Sequence, residues 1–181
     1  MFLYDKIIVV DVEATCWEEN LKPQDMCNDI IEIGICKYVV ATGEIEDKRS
    51  YFIKPQRSTI SLFCSNLTGI TQEKIDKESM SFEEACKKIR KRYGSNMRAW
   101  AAYGEYDRTI IQNHCKDFNV DNPFSETYIN IKTMFIFKNK MPNALSLLEE
   151  LEIIGEKFKG TIHNGADDAY NTAKLLKNIL N

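Results

Sequence analysis

Residues 7–13 read Ile7-Ile8-Val9-Val10-Asp11-Val12-Glu13, an apolar, β-branched strand with two carboxylates in or at its C-terminal end. A desolvated charge in such a run costs on the order of several kcal/mol unless something compensates it. Strand side chains alternate between faces, so positions i and i+2 project to one side and both carboxylates can reach a single site. Hard-oxygen ligands of this kind suit Mg²⁺ or Mn²⁺. The plainer alternative is a strand whose acidic end simply meets solvent.

Around this strand, placed near 6–12, the alternation in Ile31-Glu32-Ile33-Gly34-Ile35 predicts a second strand near 30–40, and a third near 45–54 ends before Pro55. Three early strands suggest an antiparallel meander. Helices are expected near 72–77 and 81–93, a strand near 98–103 and a helix near 107–117. A short strand at Tyr128-Ile129-Asn130-Ile131 then leads into another helix. Helices near 143–151 and 166–180 complete the chain, the last with Leu175, Leu176, Ile179 and Leu180 as its buried stripe. This order predicts an α/β fold with a mixed central β-sheet flanked by helices.

Two further places carry chemistry. His163-Asn164-Gly165-Ala166-Asp167-Asp168 reads as a loop entering the last helix, with Asp167 and Asp168 in its first turn, where the helix macrodipole favours negative charge. Helix-start chemistry explains the aspartates but not His163. Trp100-Ala101-Ala102-Tyr103-Gly104-Glu105-Tyr106-Asp107 is an apolar run broken by Gly, and Asp107 opens the following helix, where an N-cap is its ordinary role.

The 181 residues, 44% hydrophobic, can bury a sizeable core and are expected to form one domain over 1–181. No run is long or apolar enough to span a bilayer, and Met1-Phe2-Leu3-Tyr4-Asp5-Lys6 has no signal-peptide pattern, so a cytoplasmic protein without a membrane partner is expected. Cys16, Cys27, Cys36, Cys64, Cys86 and Cys115 lack the spacing of zinc or redox motifs and are expected to be reduced thiols. Cys115 beside His114 is a poor nucleophile and base pair, because adjacent helical residues diverge by about 100°. With a net charge of −3 the chain lacks a general basic footprint for nucleic acid. Lys87-Lys88-Ile89-Arg90-Lys91-Arg92 reads as the solvated face of an amphipathic helix.

Taken in chain order, Asp11 and Glu13, then Asp107, then His163 with Asp168 five residues on, the pattern resembles the DEDDh family of 3′-to-5′ exonucleases. Asp11-Val12-Glu13-Ala14-Thr15-Cys16, Leu62-Phe63-Cys64-Ser65-Asn66-Leu67-Thr68-Gly69-Ile70-Thr71 and His163-Asn164-Gly165-Ala166-Asp167-Asp168 are similar to the branch of histone-mRNA and small-RNA 3′ exonucleases, over essentially the whole chain. The resemblance implies a ribonuclease H-like fold with the first strand central. It implies two Mg²⁺ or Mn²⁺ ions held by Asp11, Glu13, Asp107 and Asp168, with Asp11 bridging and Glu13 counted with His163 as catalytic. Two cations about 4 Å apart would generate the nucleophile and stabilise the leaving oxygen, while His163 would act as general base on the attacking water.

For substrate, the resemblance implies backbone groups of Ala14 and Thr15 against the terminal sugar. Trp17 and Tyr106 are candidates to stack on the last base, and His163 is counted with them among the expected substrate contacts. Leu67-Thr68-Gly69-Ile70-Thr71 either shapes the pocket or is a turn that caps the helix starting near Gln72. Relatives that act on structured RNA often carry an extra nucleic-acid-binding domain for which this chain has no room, so the expected substrate is the single-stranded 3′ end of RNA or DNA, with RNA favoured. A proofreading-type DNA exonuclease and a non-catalytic nucleic-acid-binding or adaptor protein remain alternatives.

Overall fold

The computed structural model describes residues 2–180; Met1 and Asn181, the two ends of the expected domain, lie outside them. Strand β1 runs Leu3–Ala14, longer than expected, and is followed by β2 (Ile30–Val39) and β3 (Ile45–Phe52). These three pair antiparallel as the meander predicted. After the helices α1 (Leu62–Thr68), α2 (Gln72–Glu78) and α3 (Phe82–Tyr93), strand β4 (Arg98–Ala102) returns parallel to β1. Helix α4 (Tyr106–Asp117) then leads to β5 (Tyr128–Asn130), parallel to β4. Helices α5 (Ile131–Lys138), α6 (Leu147–Ile153) and α7 (Gly165–Leu180) finish the chain. The sheet order β3-β2-β1-β4-β5 puts β1 at its centre.

Alternation along β1 builds two cores. Ile8, Val10 and Val12 pack with Phe82, Ala85 and Ile89 of α3 and Ile110 and Ile111 of α4. Ile7 and Val9 face the opposite layer, with Ile131, Phe135, Leu151, Ala169, Ala173 and Leu176 from α5, α6 and α7. Parity therefore sends Asp11 and Glu13 toward the α7 layer.

Four local expectations need correction. Helix α1 is absent from the sequence reading because its seven residues bury only Cys64 and Thr68 and show no apolar stripe, although Ser61 caps it by accepting the Cys64 N–H at 2.9 Å. Helix α6 begins at Leu147 rather than near 143, since Ser146 and Glu149 form a capping box that fixes its start. The third strand ends at Phe52, with Ile53 bridging to Met80. Leu180 leaves the stripe of α7, being 49% exposed, whereas Leu175, Leu176 and Ile179 are buried. Gly69 (φ 71°) closes α1 and Thr71 caps α2, so Leu67–Thr71 is the helix-capping turn. No helix among the described residues is long and apolar enough to cross a membrane. The basic run on α3 is taken up by neighbours: Lys87 with Glu83, Lys88 with Glu84, and Arg92 with Asp47.

Helix α7 sits directly on β2. A Cβ at Gly34 would lie 1.8 Å from the carbonyl carbon of Gly165 and 2.2 Å from the Ala166 nitrogen, so no side chain fits there. Gly34→Ala is expected to lower the unfolding free energy by at least about 3 kcal/mol, because the obstacle is backbone and cannot rotate away. Urea denaturation checks this, and a loss below about 1 kcal/mol would mean that α7 is not seated on β2 as described.

Candidate active site

The site forms where β1 outlasts its parallel neighbour. Strand β4 ends at Ala102, so the Val12 N–H lies past the ladder, and Asp107 Oδ1 takes it at 2.8 Å. Asp107 is thus a first-turn residue of α4 whose carboxylate turns back to the sheet, 5% exposed, rather than an N-cap. On β1 itself, Asp11 and Glu13 point the same way. Helix α7 brings Asp168, and carboxylate oxygens of Asp11, Glu13 and Asp168 all lie within 4.8 Å of one another.

Asp167 and Asp168 share one helical turn but do different work. Asp167 accepts the Thr161 N–H at 2.8 Å and pairs with Lys48 Nζ at 2.5 Å, tying the preceding loop to β3. Asp168 faces the cluster, and its Oδ2 is buried with no hydrogen-bond partner. His163 enters α7 with φ 63°, a left-handed conformation uncommon outside Gly though His adopts it more readily than most, and its exposed ring lines the same cavity. That cavity, about 420 Å³, joins Asp11, Glu13, Asp107, His163 and Asp168 to an apolar wall of Tyr103, Leu147, Leu148, Phe158 and Ile162.

The electrostatics follow from crowding. Burial, then the charge of Asp107, pushes the Asp11 carboxyl well above the usual carboxylate range. Burial first, then Asp168 and Glu32, raises Glu13 to about 8. Asp168 is raised to about 7 and Asp107 to about 6, in each case chiefly by burial, against hydrogen bonds that lower them. Such a group asks for cations, and the partnerless oxygen of Asp168 is where one would be met.

Of the other expected contacts, Tyr106 lines the cavity and is 57% exposed. Ala14, Thr15 and Trp17 do not line it. The Thr15 N–H donates to the Asp29 carbonyl at 2.8 Å and its carbonyl accepts from Asn28 Nδ2 at 2.7 Å, so Thr15 clamps the base of loop 16–28. The Ala14 carbonyl accepts the Cys64 thiol, and Trp17 lies under Lys22, whose Nζ is 5.6 Å from the ring centroid. His114 is a buried strut, with Nε2 accepting the Ile30 N–H at 3.0 Å and Nδ1 facing the Ile110 carbonyl.

Sequence reasoning missed the apolar wall, which comes from segments without any motif. It also missed Glu32, fully buried and opposite Glu13 in the β1–β2 register. The signal was there: β2 is apolar at both parities, Ile30, Ile31, Ile33, Ile35 and Cys36, so a charge within it cannot reach water on either face.

A family model described as Exonuclease matches residues 8–176. The solved nuclease domain of 3′hExo, a DEDDh family member bound to rAMP, is 30% identical and superposes with a TM-score of 0.87, covering 98% of this chain and 92% of that one. The chain belongs to the DEDDh exonucleases. Its fold is therefore ribonuclease H-like, and exonuclease I structures at 12% identity share that fold with a TM-score of 0.71 over 96% of this chain and 41% of theirs. Human 3′-5′ exoribonuclease 1 is 32% identical over 98% of this chain and 53% of its own length. The chain thus spans about half the length of the curated relatives it matches.

The raised carboxyls set a pH signature. Groups with folded pKa values above their unfolded values bind more protons when folded, so the metal-free DEDDh domain loses stability as pH rises from about 4 toward 8. In EDTA the Tm should fall between pH 5 and pH 8. Saturating Mn²⁺ should raise it by roughly 5–10 °C at pH 8 and much less at pH 5. Differential scanning calorimetry would read this, and a metal effect independent of pH would contradict the assignment.

Proposed function

We propose that this chain is a metal-dependent 3′-to-5′ exonuclease that hydrolyses single-stranded nucleic acid, RNA in preference to DNA, and releases nucleoside 5′-monophosphates. The observation that carries this reading is one cavity holding four carboxylates and an imidazole beside an apolar wall. The RNA preference is supported by relatives named exoribonucleases, and by the rAMP bound to the solved neighbour.

Asp11, Glu13, Asp107 and Asp168 would hold two Mg²⁺ or Mn²⁺ ions, which supply a water of lowered pKa and offset the charge on the departing oxygen. A ring nitrogen of His163 accepts a proton from the attacking water, which forms a new P–O bond as the bond from phosphorus to the 3′ oxygen of the penultimate sugar breaks. The leaving 3′ oxygen takes up a proton from solvent, so the shortened chain keeps a free 3′-OH, and His163 returns its proton to solvent. Tyr106, on the cavity rim, offers its ring to the last base, a contact that tolerates any base. The Tyr103, Leu147 and Phe158 wall sets apolar surface beside the reacting end, where electrostatic interactions are stronger than in open water.

Single-stranded RNA labelled at its 5′ end should give a ladder shortening from the 3′ end with Mg²⁺ or Mn²⁺ and none in EDTA. Asp11→Ala should reduce the rate by at least about a thousandfold. His163→Asn should slow it by roughly 10²–10⁴-fold while calorimetric Mn²⁺ binding stays intact. Normal turnover by Asp11→Ala would refute the site. Faster digestion of matched DNA would move the reading to a proofreading-type DNA exonuclease, and metal binding without digestion of either would move it to a binding module.

A further inference from the structure

Glu32 is a buried carboxylate that the proposed chemistry does not use. It sits on β2 with no exposed surface, and the β1–β2 register sets it opposite Glu13. Both of its hydrogen bonds come from neutral donors: Oε2 accepts the Gly165 N–H at 3.2 Å, and Oε1 accepts the Ser50 hydroxyl. A buried charge satisfied only this far costs stability, so a purely structural role would be filled better by an apolar side chain.

The Gly165 N–H is the first of α7, two residues after His163 and three before Asp168. Asn164 Oδ1 already caps the Asp167 N–H at 3.2 Å, which leaves the Gly165 N–H to find a partner outside the helix. The neighbouring geometry allows little play. A Cβ on Gly165 would stand 3.2 Å from Glu32 Cδ and 3.1 Å from the Gly34 nitrogen, so the first turn of α7 rests on β2 by backbone contact.

We propose that Glu32 is a positioning residue: its carboxylate holds the Gly165 N–H, pins the first turn of α7 to β2, and so fixes where His163 and Asp168 stand relative to Asp11 and Glu13. The proposal rests on the exonuclease reading for its kinetic consequence. What matters is reach. Gln at position 32 keeps the length and an acceptor for Gly165, with its amide N–H turned to the Ser50 hydroxyl. Asp keeps the charge but is one methylene too short.

Glu32→Gln should retain kcat on single-stranded RNA within about threefold. Glu32→Asp should lose about tenfold to a hundredfold in kcat with KM nearly unchanged, since a misplacement of about 1 Å costs up to that much. Ser50→Ala, which leaves the bond to Gly165 in place, should behave as Glu32→Gln does. Amide hydrogen exchange at Gly165 gives a readout independent of turnover: protection should persist in Glu32→Gln and Ser50→Ala and fall in Glu32→Asp. The reverse pattern, with Asp retaining and Gln losing activity and protection, would assign the role to charge and overturn the proposal. So would unchanged kcat and exchange in all three variants, or a loss in Ser50→Ala as large as in Glu32→Asp. If the parent protein cleaves no RNA, the exonuclease reading fails, and the exchange data alone still decide whether Glu32 holds α7.

Discussion

Like charges crowded into a half-dry pocket repel, and the rest of this structure is arranged around that repulsion. Carboxylate oxygens of Asp11, Glu13 and Asp168 within 4.8 Å of one another cost on the order of 3 kcal/mol per ionised pair at an effective dielectric of about 20. Asp107 is next to them, held by the Val12 N–H. A surface loop would splay such a group apart. Here the central strand of a five-stranded sheet fixes two members, and the first turns of two helices seated on opposite layers fix the others.

That arrangement explains why the site spends stability. Each member ionises reluctantly in the metal-free protein, and only bound cations convert the cluster from a liability into a ligand set. Cores on both faces of the sheet offset the cost, with Ile8, Val10 and Val12 on one side and Ile7 and Val9 on the other fully or almost fully buried. The support reaches further back than the carboxylates themselves: Gly34 admits α7, and Asp167 with Lys48 ties down the loop that presents His163.

Much of this was legible in the sequence, for identifiable reasons. The period-two alternation of β1 put Asp11 and Glu13 on one side, and the antiparallel meander and the later alternation of strand and helix follow from local pattern. The separation of Asp167 from Asp168 was visible only through the family pattern, because adjacent first-turn aspartates look alike until the Thr161 N–H and Lys48 claim one of them. What stayed hidden is tertiary. Helix α1 has no apolar stripe, and Leu147, Leu148, Phe158 and Ile162 meet Tyr103 only after the chain folds. The hydrogen bonds of Thr15 to Asp29 and Asn28, which close loop 16–28, are likewise tertiary and carry no local signal.

The central claim is that the four carboxylates are a cation site, and diffraction from crystals soaked in Mn²⁺ tests it most directly. An anomalous map should show two peaks about 4 Å apart among Asp11, Glu13, Asp107 and Asp168 once a nucleoside monophosphate is present. A map with no peak there, or with Mn²⁺ bound only elsewhere on the acidic surface, would contradict the account.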